Sequence, residues 1–159
     1  MNLLANYFGN ISYTKEDVVH FPNGLFGFEE ETDFLPLPFD PASDFMLSLQ
    51  SIKTPSLSFI IMNPFYLLPS YEPCLSTEDQ KLLQISKDFQ KDISYYVISV
   101  IHDEIKDCTI NLKCPIAVNN QNRYACQLML DSKDYTFRHA LSTFQKKEES
   151  HVNSTAEKK

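Results

Sequence analysis

The chain has 159 residues, 43% of them hydrophobic and 13% aromatic, which suits one domain with a real core and excludes a disordered tail or linker. Its formal net charge of −7 lies in the first half, where from Met1 to Gln80 eleven Asp and Glu stand against Lys15 and Lys53, while the rest holds ten acids and twelve Lys and Arg. That surface repels phosphate backbones and argues against direct nucleic-acid binding, and no apolar run reaches the roughly 20 residues of a membrane-spanning helix.

In chain order, short strands are predicted at 11–13 and 18–21, with a single helical turn at Thr14-Lys-Glu-Asp17 between them. Phe21-Pro-Asn-Gly-Leu-Phe-Gly-Phe-Glu-Glu-Glu31 follows, a tight loop of four large apolar groups around two glycines that ends in acid. Strands are expected at 34–37, at 45–52, where Phe45, Leu47 and Leu49 alternate, and at 57–62. Asn63-Pro-Phe-Tyr-Leu-Leu-Pro-Ser-Tyr-Glu72 reads as an aromatic loop bounded by prolines.

Ser76-Thr-Glu-Asp-Gln-Lys-Leu-Leu83 opens with a capping hydroxyl and acids in its first turn, which predicts a short helix. The β-branched and aromatic run at 95–101 predicts another strand. Between Cys108 and Val118 every even position is apolar while Thr109, Asn111 and Lys113 are polar, the period of a strand with one buried face. Pro115 cannot donate to a ladder, so it marks an edge, a bulge or a break between two strands. Cys126, Leu128 and Leu130 alternate in the same way, and 135–138 is a weaker strand. Many short strands with regular turns and one or two short helices predict a mostly β, barrel-like single domain over 1–144; residues 145–159 read as a disordered polar tail.

The search for reacting groups finds little. The four His do not cluster, the four Cys show no C-x-x-C spacing, and Cys108, Cys114 and Cys126 fall in the apolar phase of strands. No metal or cofactor is expected. Unpaired cysteines and the absence of a secretory signal point to the cytoplasm. Two readings of the loops stand side by side: Phe21, Leu25 and Phe28 plug one end of a barrel, or exposed aromatics beside acid form an adhesive surface for another protein. On exposure and charge, the expected partner-binding residues are Phe26, Glu29, Glu30, Glu31, Asp33, Phe65, Tyr66, Tyr71 and Glu72. The rival reading is a small-molecule-binding or hydrolytic β-barrel using Cys74 or His102.

Five short motifs occur in order: Phe-Gly-x-Ile at Phe8 to Ile11, Phe-Pro-x-Gly-Leu-x-Gly-Phe-Glu at Phe21 to Glu29, Leu49-Gln-Ser51, Asn63-Pro-Phe65 with Tyr71 following, and Asn-Leu-x-x-Pro-Ile-x-x-Asn at Asn111 to Asn119. Together they resemble the flagellar assembly factor FliW family from about Asn6 to Arg138. The chain departs from the family at Phe26, where Pro is usual, and at Cys114, where a smaller residue is usual. The resemblance implies a compact β domain in the bacterial cytoplasm with two protein partners and no catalytic residues. One partner is CsrA, an RNA-binding repressor of flagellin translation; the other is flagellin, which competes for this protein and so sets how much CsrA is free.

Overall fold

The computed structural model describes residues 1–85 and 92–144; the expected polar tail at 145–159 lies outside the described residues. A hairpin of β1 (Asn2–Ala5) and β2 (Gly9–Ser12) stands beside one branched antiparallel sheet. The sheet's main path runs β10 (Ala125–Gln127), β9 (Ile116–Asn119), β7 (Ile93–Val100), β6 (Ser58–Met62), β5 (Met46–Ser51), β4 (Asp33–Pro38) and β3 (Val19–His20). The branch is at β7, whose first half pairs with β9 and whose last residues pair with β8 (Thr109–Ile110); β8 in turn carries β11 (His139–Ala140).

Pro115 explains the branch. The apolar alternation from Cys108 to Val118 is split into β8 and β9, and the residues between them turn. With no N–H to donate, Pro115 cannot continue a ladder. Asn111 supports the turn, its side-chain oxygen accepting the Cys114 N–H at 3.0 Å. The strand expected at 135–138 does not form; pairing begins at His139 instead, and Lys113 N–H is tied to the Thr136 carbonyl. β1 was not expected from the sequence.

Two cores result, one on each face of the sheet. Val19, Phe21 and Phe34 share a cluster with Leu47, Leu49, Ile61, Ile116 and Ala125. Strands at opposite ends of the sheet can meet in one cluster only if the sheet curls, so this is the inner face. The rings of Phe21 and Phe34, both fully buried, meet edge to face at 5.4 Å; burying one such side chain contributes about 1.5–3 kcal/mol. The outer face packs Met62, Val97, Ala117, Cys126 and Leu128 beneath Leu83 and Tyr71. α1 (Thr77–Leu82) lies over that core. Its start is the capping box that its sequence predicts: Asp79 N–H donates to Ser76 Oγ, and Ser76 N–H donates to the Asp79 carboxylate.

The sheet curls without closing. Its two edges meet at a single parallel bridge, where His20 N–H donates to the Arg123 carbonyl at 2.9 Å beside Tyr124. Beyond that bridge β3 has ended, and β4 continues through Pro36 and Pro38 as a free edge. Proline is tolerated there because that edge needs no donor. The domain is thus mostly β and barrel-like, with an open seam.

Candidate functional site

The loop at 21–31 is built around a two-residue turn, Phe26-Gly27, between Leu25 and Phe28, whose backbones bond to each other in both directions. Gly27 takes φ +85° at the third position of the turn, the positive value that a type II turn requires. Phe21 and Leu25 are buried, Phe28 rests edge to face on Phe59 at 5.1 Å, and Phe26 stands at the tip, 51% exposed. The plug reading thus holds for Phe21 and Leu25 but not for Phe28, which is 40% exposed, and Phe26 is left on the surface. Phe26 N–H donates to Gln127 Oε1 at 2.8 Å, a bond that the Pro usual in the family cannot make.

Phe26 forms one lip of a cleft of about 610 Å³. Leu75, Leu82, Met129 and Leu130 supply apolar lining, while Glu72, Glu78, Asp79 and Asp131 stand around it; among the described residues no Lys, Arg or His lines the cleft. Met129 is itself 54% exposed. Among the described residues none of those four acids is in an ion pair. Asp79 is occupied by the helix cap, which leaves Glu72, Glu78 and Asp131 to set the potential of the cleft.

The remaining expected contact residues divide by what they touch. Glu29 and Glu30 are exposed beside the turn, Glu30 lying 3.9 Å from Lys53, which is also exposed. Glu31 instead accepts hydrogen bonds from the Ser51 and Thr54 hydroxyls, each at 2.6 Å, and Asp33 is paired to His20 Nδ1 at 2.7 Å. The Ser51 hydrogen bond, with that from Thr54, holds the Glu31 carboxyl below its ordinary value of 4.5. A depressed carboxyl contributes stability that is present above its unfolded value and lost as pH falls through the folded one. Glu31→Ala, which removes the acceptor of the Ser51 and Thr54 O–H groups while Ser51 Oγ keeps the Thr54 N–H at 2.9 Å, is expected to cost about 1–3 kcal/mol at neutral pH. It should also flatten the fall in stability below about pH 4.5; urea midpoints measured from pH 3 to 7 check both.

In the second loop Tyr66 is exposed, donates to Asp44 at 2.8 Å and packs edge to face on Phe45. Phe65 is partly exposed, with its ring 6.1 Å from Tyr71. Tyr71 is buried, donates to the Leu112 carbonyl at 2.6 Å, and has its phenol pushed well above its ordinary range by that burial. Its ring lies 4.7 Å from Tyr135, whose hydroxyl accepts the Glu72 N–H at 3.0 Å. Tyr71 is thus a core group that supports the cleft wall from behind. Of the nine expected residues, Phe26 and Glu72 meet at the cleft; Glu29 and Glu30 flank it in sequence, and Phe65 and Tyr66 lie outside its lining. Met129, Leu75, Glu78 and Asp131 were missed. Met129 had a legible signal, an apolar residue in the outward phase of the Cys126, Leu128, Leu130 alternation.

The groups of the rival reading are not brought together. Cys74 lines the cleft, whereas His102 lies exposed just past the end of β7. Among the described residues no titratable base lies in hydrogen-bond contact with Cys74, whose thiol reaches the Glu72 carbonyl at 3.9 Å. Among the described residues no group of three or more His, Cys, Asp and Glu is placed to hold a metal ion.

Comparison with known proteins gives a consistent result. The family model described as "FliW protein" matches residues 2–141. A protein of Shouchella clausii (strain KSM-K16) named "Flagellar assembly factor FliW" is 38% identical over 143 residues, covering 90% of this chain and 96% of that one. A protein of the same name from Desulfitobacterium hafniense (strain Y51) is 36% identical over 141 residues, covering 89% and 91%. A solved structure, "Crystal structure of the flagellar assembly factor FliW", superposes with a TM-score of 0.80 at 33% identity, over 89% of this chain and 96% of that chain.

Proposed function

The chain belongs to the FliW family of flagellar assembly factors, and from that premise we propose that it works by exchanging two protein partners, CsrA and flagellin, in the bacterial cytoplasm. While flagellin is abundant it occupies this protein and CsrA represses flagellin translation. When flagellin is exported, the freed protein captures CsrA and relieves the repression. The single observation that carries the binding role is the cleft: an apolar lining with Phe26 and Met129 exposed at it, acids around it and, among the described residues, no cation. Exposed aromatic and Met side chains suit a protein interface. The acids suit a partner that must present positive charge to RNA, so we assign the cleft to CsrA.

Charge also supplies a route to RNA release without occupation of the RNA site. A docked acidic body raises the negative potential within about 8 Å at physiological salt. Glu29, Glu30, Glu72 and Glu78 are the groups for this role, since Glu31 and Asp33 are engaged within the fold. Mixing the protein with CsrA and with flagellin on a sizing column should give co-elution with each and displacement of one by the other; co-elution with neither overturns the proposal. Replacing those four glutamates by Lys should weaken RNA release from CsrA, more at low salt than at high. Unchanged release removes the electrostatic part and leaves the partner switch standing.

A further inference from the structure

The open seam of the sheet forms a second concavity, far from an acidic docking face in character. Past the His20–Tyr124 bridge, Pro36 on the free edge of β4 shares the sheet face of Leu49, Ile61 and Val118, and these line a slot of about 310 Å³ beside Ile11 and Tyr13 at the end of the hairpin. A cavity of about 150 Å³ is enough to hold benzene, so the slot has room for a hydrocarbon chain of about eight to ten carbons. At its mouth stands Arg123, which takes φ +65° in the turn between β9 and β10. One Arg123 terminal nitrogen donates to the Asp17 carbonyl at 3.1 Å, while its Nε is buried and has no hydrogen-bond partner among the described residues. Leaving a charged donor unpaired away from water is costly, and an oxyanion at the mouth would satisfy it. Asp17 also lines the slot, but its carboxylate already accepts the Thr14 N–H at 2.9 Å.

The edge itself argues against a peptide as the occupant. A strand adding to β4 would meet Pro36 and Pro38, which offer no N–H. An apolar chain needs no ladder. We propose that the slot binds a medium-chain aliphatic carboxylate, with its hydrocarbon between β4 and β9 and its carboxylate on the Arg123 guanidinium.

Decanoate, titrated below its micellar range into the full chain with calorimetry and methyl NMR, is the test. Saturable one-to-one binding is expected, with shifts at the Ile11, Leu49 and Val118 methyls and a rise in melting temperature as ligand is added. Arg123→Gln should weaken decanoate about tenfold and leave decanol binding unchanged. Ile11→Trp, a larger side chain at a partly buried position of the slot lining, should abolish both. Should the Gln variant fail to fold, Arg123→Lys keeps the charge but not the Nε–H, and the same loss is expected for the carboxylate. Absence of saturable binding overturns the proposal. So does equal affinity for decanoate and decanol, or shifts confined to Leu75 and Leu130 of the acidic cleft, which would mean that an amphiphile merely coats exposed apolar surface.

Discussion

Gly24→Ala should destabilise the protein by about 3 kcal/mol or more, lowering the melting temperature by about 10 °C. Gly24 adopts φ +65°, and a Cβ built on it lies 2.5 Å from the Phe28 carbonyl oxygen and 2.6 Å from that of Glu29. Both obstacles are backbone, so no side-chain rotation relieves them. The left-handed φ alone costs a non-glycine residue about 1–3 kcal/mol, and forced backbone shifts cost about the same again. Gly27 is the internal control. It has φ +85° with nothing within 4 Å of an added Cβ, so Gly27→Ala meets the φ penalty alone, about 1 kcal/mol. Urea denaturation of the two variants side by side decides the matter; equal losses would show that the close approach of the two chain segments does not contribute.

That contrast bears on what the sequence could reveal. Two glycines three residues apart read as a tight loop, which is correct, but nothing local distinguishes the glycine that backbone crowds from the one in open space. The strands at 45–52, 57–62 and 95–101 were legible because each apolar phase meets a core. β5 shows the limit of that reading: alternation implies one buried face, yet five of its six residues are buried because both sheet faces are covered there.

Gln50 is the clearest case of a residue whose role is set at a distance. It is fully buried, accepts the Asn6 N–H at 2.9 Å and donates to the carbonyls of Ser51, Pro55 and Leu57, so it fastens the hairpin and the β5–β6 turn together. The short motifs that carry the family likeness are largely devices of this kind. Asn63 Oδ1 accepts the Phe65 N–H, and the Asn119 side chain donates to the Leu83 carbonyl while accepting the Gln121 N–H. They preserve the scaffold, and so they identify the family without pointing to the surface that binds. Glu31, Asp33 and Tyr71 looked like surface groups because composition reports charge and ring, whereas their hydroxyl, imidazole and carbonyl partners lie 13 to 41 residues away.

Phe26→Ala is expected to weaken CsrA binding about 30-fold or more with little change in folding stability. A large apolar side chain at the centre of a desolvated contact is worth about 2 kcal/mol on truncation. Phe26 fits that description: half exposed in the free protein, at the lip of the cleft, with its backbone pinned to Gln127. Because the ring is not part of either core cluster, its removal leaves the fold within about 0.5 kcal/mol of wild type. Met129→Ala should act in the same direction by a smaller factor, since a flexible side chain loses more freedom on docking. Tyr66→Ala supplies the counter-test. That side chain is equally exposed but lies outside the cleft, held on Phe45 and Asp44, so CsrA affinity should change less than about fivefold. Calorimetric titration of the three variants separates the two faces. If Tyr66→Ala abolishes binding while Phe26→Ala retains it, CsrA sits on the Phe65–Tyr66 loop, and the acids around the cleft are there for solubility alone.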